Sequence, residues 1–384
     1  MTETYDAIVV GLGGVGSAAA CHLASRGKRV LGLERYTAAH DRGSSHGSSR
    51  IIRQAYHENP GYVPLVLRAY ELWEQLERDT AKELLRITGG GLFLGPEHCG
   101  VVSGSLLSAQ QYGLAYELLD AAEVCRRFPT LQPRADDWAV YEKKAGCLGP
   151  EAAVAAHLQL ALQRGAALHF EEPISDWQVT TSGVVRVATQ RGTYEAAHLV
   201  LAPGAWAPDL LHATALPLHV RRHVMAWFEP TRDIERFSSA QLPIYIWQTP
   251  SNKIFYGFPS MDGQNGGVKA AIHSGGDVCT AESIDRTILA SDIGEIRELL
   301  ATYIPELNGR LLRASTCMYT MTPDEDFVVS PHPDYPQVTI ACGFSGHGFK
   351  FTSVLGEVLA DLAIDGRSRH PIDFLSAKRF AANQ

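Results

Sequence analysis

Through the first two hundred residues, short apolar runs alternate with stretches of helical period. Residues 7–10 form an apolar strand, 17–26 an Ala-rich helix closed by Gly27, and 29–34 a second apolar strand. Between residues 62 and 76 the positions Tyr62, Leu65, Val66, Ala69, Trp73 and Leu76 fall on one helical face, which reads as core. Residues 89–148 read as a small α/β insertion with strands at 91–94 and 115–119, and Asp120 caps a helix reaching Phe128. Pro150 and Glu151 open a helix to Arg164, and strands follow at 167–170, 174–180, 184–189 and 198–202. His157, His169 and His198 lie inside these elements and read as packing or surface residues.

From Leu216 the pattern changes. Strands at 221–229, 244–248, 253–258 and 267–273 follow one another without helices, which predicts an antiparallel sheet and a second domain of different build. A helix at 293–303 and a strand at 311–321 come next. The chain then returns to the first pattern with a strand at 338–341, a Gly-rich turn and a helix at 351–364. No internal repeat or long linker interrupts this order. A length of 384 residues suits about two domains.

Composition narrows the partners. With 45% hydrophobic and 20% charged residues and a net charge of −8, there is no basic footprint for nucleic acid or anionic membrane. No apolar run reaches the roughly 18 residues of a membrane span. The acidic start Met1–Thr2–Glu3 is not a leader, the end at Gln384 is not a peroxisomal address, and a cytoplasmic protein is the expectation. Seven cysteines without CxxC spacing argue against a disulfide frame and against a metal site.

The chemistry is concentrated in a few stretches. Gly11–Leu12–Gly13–Gly14–Val15–Gly16 follows the first strand, a helix follows it, and Glu34 ends the second strand. In that order Gly11 makes the tight turn, Gly13 lets a pyrophosphate approach, and Gly16 lets helix and strand pack closely. An acid at 34 accepts from a ribose hydroxyl and favours FAD or NAD over NADP. The loop Gly43–Ser44–Ser45–His46–Gly47–Ser48–Ser49–Arg50 could line a cofactor ring and hold an anion, or be a mobile surface loop. Alternation in the strand at 267–273 puts Lys269 and His273 on one face, either lining a site or solvated; the solvated face is the simpler reading. Gly343, Gly346 and Gly348 allow a sharp turn, and Lys350 stands at the start of a helix, where a cation opposes the dipole. That placement suits either a task or a side chain reaching for solvent.

With these pieces assembled, the sequence resembles the monomeric sarcosine oxidase and N-methyltryptophan oxidase family of D-amino-acid-oxidase-like flavoproteins. The resembling stretches are Gly11 to Gly16, Gly43 to Arg53, Tyr256–Gly257–Phe258–Pro259, Lys269 with His273, Cys317–Met318–Tyr319–Thr320 and Gly343 to Phe351. They stand in family order over essentially the whole chain. The resemblance implies an α/β plus α+β protein: a Rossmann-type FAD-binding domain (1–84, 149–215 and 322–384) and an antiparallel-sheet substrate domain (85–148 and 216–321), as in glutathione reductase and D-amino-acid oxidase. It implies FAD held by Gly11, Gly13, Gly16, Glu34, Ser44, Ser49, Ile174, Gly204, Gly346 and Gly348, joined covalently through Cys317. Arg50 and Lys350 are implied as carboxylate anchors touching both cofactor and substrate, and Lys269 as the group that assists oxygen. His46, Tyr256, His273, Ile246 and Tyr319 are implied as pocket residues.

The expected activity is oxidation of a secondary, N-methyl amino acid by a monomer, with oxygen as acceptor and hydrogen peroxide as product. A cyclic imino-acid oxidase of the pipecolate or proline kind is the alternative, and a non-catalytic flavin- or NAD-binding protein is a third reading. Ser49 and Ile246 depart from the threonine and methionine of bacterial sarcosine oxidases, so the segment 243–248 is where pocket size transfers least. Trp227 and Phe228 lean towards the N-methyltryptophan oxidases.

Overall fold

The computed structural model describes residues 3–383 apart from 212, 213, 215, 262 and 264; Met1, Thr2 and Gln384, used above for the chain ends, lie outside the described residues. Its first sheet is built on Glu3–Val10, which pairs in parallel with Val30–Leu33 on one side and Gly192–Leu201 on the other. Ala167–His169 extends this parallel core beyond Val30–Leu33, and Val338–Cys342 extends it beyond Gly192–Leu201. The hairpin of Ile174–Val179 and Val185–Thr189 joins the outer half of Gly192–Leu201. That long strand starts earlier than its apolar stretch: Gly192 and Thr193 are exposed and pair with the hairpin, before Tyr194 meets Glu3.

Helix Gly14–Ser25 lies over this sheet and packs against Pro150–Gln163 and Thr352–Asp365, with Val63–Thr80 against the latter two. The close approach is made by small residues: a Cβ at Gly356 would stand 2.6 Å from the Ala18 carbonyl carbon. The face of Val63–Thr80 read as core is buried at every position named above.

The second sheet carries Asp277–Cys279, His219–Phe228, Val268–Ile272, Ile254–Gly257, Ile244–Gln248, Gly91–Pro96, Asp137–Glu142 and Glu117–Asp120, with Leu311–Met321 on His219–Phe228. It corrects the antiparallel expectation at one point: Ile244–Gln248 and Gly91–Pro96 run parallel. Strands so far apart in sequence pair through the fold, and a reading of consecutive runs cannot show their direction. The insertion contributes its strands to this sheet. Strand Asp137–Glu142 and helix Gly100–Gln111 were not expected from the sequence. The helix is rich in Gly, Ser and Gln and has almost no apolar stripe.

A third sheet, also unforeseen, has only three strands: Arg50–Ile52, Gly146–Leu148 and Leu85–Ile87. It matters because it fixes the strand that carries Arg50, with Arg53 just beyond its end. Among the described residues no helix is long and apolar enough to cross a membrane, and no cluster of three or more His, Cys, Asp or Glu is set to hold a metal ion.

Candidate active site

The ends of the parallel strands open into a cavity of about 320 Å³. Gly11 adopts φ +83°, and a Cβ there would lie 2.5 Å from the Ala202 carbonyl oxygen; at Gly16 it would lie 1.7 Å from the Gly11 oxygen. A Cβ at Gly13 would meet only the Ser45 hydroxyl, at 3.7 Å. Two glycines are thus required by packing, and Gly13 keeps an open side beside the cavity. Glu34, buried, accepts from the backbone N–H of Leu12 at 2.7 Å and of Tyr36 at 3.0 Å. Its side chain is held at the cavity wall, which Ile174 and Gly204 also line. This backbone cradle, with a carboxylate at the end of the second strand, fits an adenosine and pyrophosphate.

The far end of the cavity is built on the loop before strand Arg50–Ile52. Glu151 accepts from the N–H of Gly47 (2.6 Å) and Ser48 (3.2 Å). Lys269 Nζ donates to the carbonyls of Gly47 (2.8 Å) and Ser49 (2.9 Å), with the Ser49 hydroxyl at 3.3 Å. Arg50 donates to Ser49 O at 2.9 Å and Ser44 O at 2.8 Å. Arg50 Nη2 stands 3.6 Å from the buried Cys317 Sγ. The Ser44 hydroxyl donates to Met318 O at 2.6 Å, tying the loop to the strand that carries Cys317. Lys269 is only 2% exposed and lies over the rings of Trp227 and Phe258, so the solvated-face reading is wrong. Burial, then the nearby Arg50, hold its pKa well below the lysine norm. Burial and Arg50 likewise lower His46 to about 4, so its ring is neutral.

Arg50, Tyr319, Gly346 and Phe349 also line a second, smaller cavity of about 60 Å³. Gly346, at φ +80°, is obligatory there, since a Cβ would stand 2.4 Å from the Tyr319 ring. Three cations border this space: Arg50, Arg53 and Lys350. Arg53 is 1% exposed, pairs with Glu58, donates to Ala55 O at 2.8 Å, and lies over the Tyr56 ring. Its Nε is buried and meets no acceptor among the described residues. The turn that aims it is held by Glu142, buried, which accepts from the N–H of Gln54 and Ala55 at 2.7–2.9 Å.

Burial pushes the Glu58 carboxyl up, but Arg53 and then His57 outweigh it, and it stays well below the usual range. Lys350 is lowered to about 7, by burial and then by Arg53. His273 and His347 are each lowered to about 4, chiefly by burial, and so are neutral. Facing one carboxylate, the three cations leave the small cavity positive.

Of the residues named from sequence, Gly11, Gly13, Glu34, Ser44, Ile174, Gly204 and Gly348 line the large cavity. Ile246, Tyr256, His273 and Lys350 line the small one, and Arg50, Tyr319 and Gly346 line both. Gly16, His46, Ser49, Lys269 and Cys317 stand behind the walls. Sequence reasoning missed Arg53, His57, Glu58 and His347. The run Arg50–Ile51–Ile52–Arg53 held a signal: the second arginine follows two apolar residues and leaves the small sheet at its end.

With that geometry in place, comparison with known proteins identifies the chain. The family model described as DAO, FAD dependent oxidoreductase, matches residues 6–362. The monomeric sarcosine oxidase of Streptomyces avermitilis is 52% identical over 383 residues, covering 100% of this chain and 99% of that protein. The N-methyl-L-tryptophan oxidase of Yersinia pestis is 36% identical over 379 residues, covering 98% and 99%. Among solved structures, NikD, an unusual amino acid oxidase essential for nikkomycin biosynthesis, superposes with a TM-score of 0.85 at 26% identity over 98% of both chains. The L-proline dehydrogenase of P. horikoshii shares the fold, at a TM-score of 0.85 and 23% identity over 100% of both chains. The chain belongs to the DAO family of FAD dependent oxidoreductases, and its cofactor is FAD.

Proposed function

We propose that this FAD-dependent enzyme is a monomer that oxidises small secondary amino acids of the N-methyl type, with oxygen as acceptor. The observation that carries the reading is the small, positive cavity opening onto the glycine-built one, with the Arg53 Nε–H buried and short of an acceptor. A buried donor of that kind is costly unless a ligand completes it. A carboxylate does so with charge-assisted hydrogen bonds.

We accordingly assign the carboxylate to Lys350 together with Arg53, and place Arg50, whose guanidinium is already bound to two carbonyls, at the border with the flavin. Bound FAD supplies acceptance of two electrons from a C–H next to nitrogen and their delivery to oxygen, giving hydrogen peroxide. The protein's task is to hold the substrate by its carboxylate and keep its amine neutral. The positive cavity lowers the pKa of a bound ammonium, and the one carboxylate among its described lining residues, Glu58, is already paired with Arg53. The imine formed from an N-methyl substrate hydrolyses to formaldehyde and the primary amino acid.

Lys269 and Cys317 belong to the same proposal from behind the wall: Lys269 as a cation beside the oxygen-reacting side of the flavin, Cys317 as its covalent anchor. So does the division into a flavin-binding domain (1–84, 149–215, 322–384) and a substrate domain (85–148, 216–321). The purified protein should stay yellow through acid precipitation and release peroxide with sarcosine. A panel of sarcosine, N-methyl-L-tryptophan, L-proline and L-pipecolate decides the substrate class. Peroxide from the cyclic acids alone would overturn the N-methyl assignment.

A further inference from the structure

Among the described residues the Lys350 ammonium makes two hydrogen bonds, and both lead to one pair of residues. Its Nζ donates to the His347 carbonyl at 2.6 Å and to the Tyr56 hydroxyl at 3.4 Å. The Tyr56 hydroxyl is in turn bonded to His347 Nδ1. On the other side of the ring, Nε2 lies 3.0 Å from the Glu325 carbonyl. A carbonyl only accepts, so in the neutral ring Nε2 carries the hydrogen and Nδ1 carries the lone pair. Tyr56 must then donate to Nδ1, which turns its own lone pairs towards Lys350. The chain of donors runs in one direction, from Lys350 through Tyr56 and His347 to a main-chain oxygen.

The pair is also held in place. The His347 ring sits 4.6 Å from the Phe327 ring, and Tyr56 lies 5.1 Å from both Tyr62 and Phe351. Two of the three ammonium hydrogens are therefore committed to fixed acceptors. The third has no acceptor among the described residues, on a side chain that lines the small cavity.

We infer that Tyr56 and His347 are positioning residues for Lys350, fixing the direction and the charge of the ammonium that meets the substrate carboxylate. The inference rests on the carboxylate reading above. The ionisable groups around Lys350 are Arg53, Glu58 and His57 on the facing turn, Arg50, Tyr256, His273 and Tyr319 on the other walls of the cavity, and Tyr56 and His347 themselves. Arg53 opposes the ammonium and Glu58 favours it, while the histidines are neutral. Burial and Arg53 already bring the ammonium close to losing its proton, so removing one of its two hydrogen-bond acceptors should shorten the pH range over which it survives. Lys350 titrates at about 7, so a carboxylate is held strongly below that pH and more weakly above it.

Propionate, a carboxylate without an amine, isolates this titration from that of the substrate nitrogen. Its affinity for the flavin-loaded protein is read from the shift in flavin absorbance, at a series of pH values around neutrality. The wild type should bind evenly at low pH and weaken above a break near 7. Tyr56→Phe should move the break down by about one unit and weaken binding above it about tenfold, the worth of one hydrogen bond to a charged group. His347→Gln should move it the same way, and it carries the test alone if Tyr56→Phe fails to load flavin. Lys350→Met should bind weakly with no break, and adding Tyr56→Phe to it should change nothing further. Single variants with an unmoved break would overturn the positioning role and leave Lys350 as the anchor. Wild-type binding by Lys350→Met would instead remove the carboxylate reading itself.

Discussion

The two adjoining cavities share Arg50, Tyr319, Gly346 and Phe349, yet they are made of different material. At its glycine end the larger is walled by main chain: the turn 11–15 and the strand end 202–206. Ionisable side chains from strands, turns and a helix start surround the smaller. Main chain recognises through geometry and tolerates no added atoms, whereas side chains recognise through charge and can be exchanged at graded cost. The largest expected effect is therefore on the main-chain side. Gly16→Val places atoms where a Cβ already comes within 1.7 Å of the Gly11 oxygen. No rotamer relieves a clash with backbone, so the strand–helix turn must open. The purified variant should carry no flavin and melt well below the wild type. A yellow, stable Gly16→Val protein would show that the turn is not the fixed element of the contrast.

The same contrast explains what could be read from the chain. The nucleotide end is local: strand, glycines, helix, strand and acid lie within residues 7–34, and each part announces itself by residue type. Gly346 and Lys350 were visible for a similar reason, since glycines and a cation at a helix start break ordinary preferences. The small cavity was legible only in part. Lys269 looked like a solvated residue because alternation gives the face of a strand but not what covers it; here the loop 47–49 covers it. Arg53 and Glu58 are five residues apart, and nothing local says that both turn inward. Glu142, which holds their turn, comes from a strand the pattern did not reveal.

Next in size is the loss of Arg53. Arg53→Leu leaves Glu58 without its partner in a nearly closed site, and breaking a buried pair costs about 3–5 kcal/mol. The substrate loses a donor as well. KM for sarcosine should rise at least a hundredfold, with flavin still bound, which separates this side chain from Gly16. Acid stability should change in a defined direction. Glu58 titrates below its unfolded value of about 4.3, so its contribution is present above that pH and is lost as pH falls towards the folded value. Glu58→Gln removes that share, and its stability curve should flatten between neutral and acid pH. A wild-type KM in Arg53→Leu would return the anchor role to Arg50.

Lys269 tests the border between the cavities. Its Nζ is fixed by two carbonyls behind the wall and lines neither cavity, so its effect should fall on one half-reaction. In Lys269→Met, reoxidation by oxygen should slow by about a hundredfold, the lower end of what one lost electrostatic donor costs. Anaerobic reduction by substrate should change much less. Stopped-flow measurement of both separates them, and equal slowing would mean that Lys269 acts by holding the loop at 47–49.

The smallest expected effect is on size preference. Ile246 lies opposite Tyr256 in the sheet and lines the small cavity, 8% exposed. Trp227, the residue that leaned towards a tryptophan-type substrate, packs instead on Lys269 and beneath Arg313. At about 60 Å³ the cavity holds a few water-sized groups, which suits a methyl on nitrogen and a short chain rather than an indole. Ile246→Ala deletes three carbons from its wall. One methylene in an apolar pocket is worth about 1–3 kcal/mol, and partial collapse will cut the gain. The ratio of kcat/KM for N-ethylglycine over sarcosine should therefore rise about tenfold. Ile174→Ala makes the same deletion in the wall of the large cavity and should leave that ratio alone while weakening hold on the flavin. If the two variants shift the ratio equally, the cavities are one space to the substrate, and the division of labour between main chain and side chain does not hold at this wall.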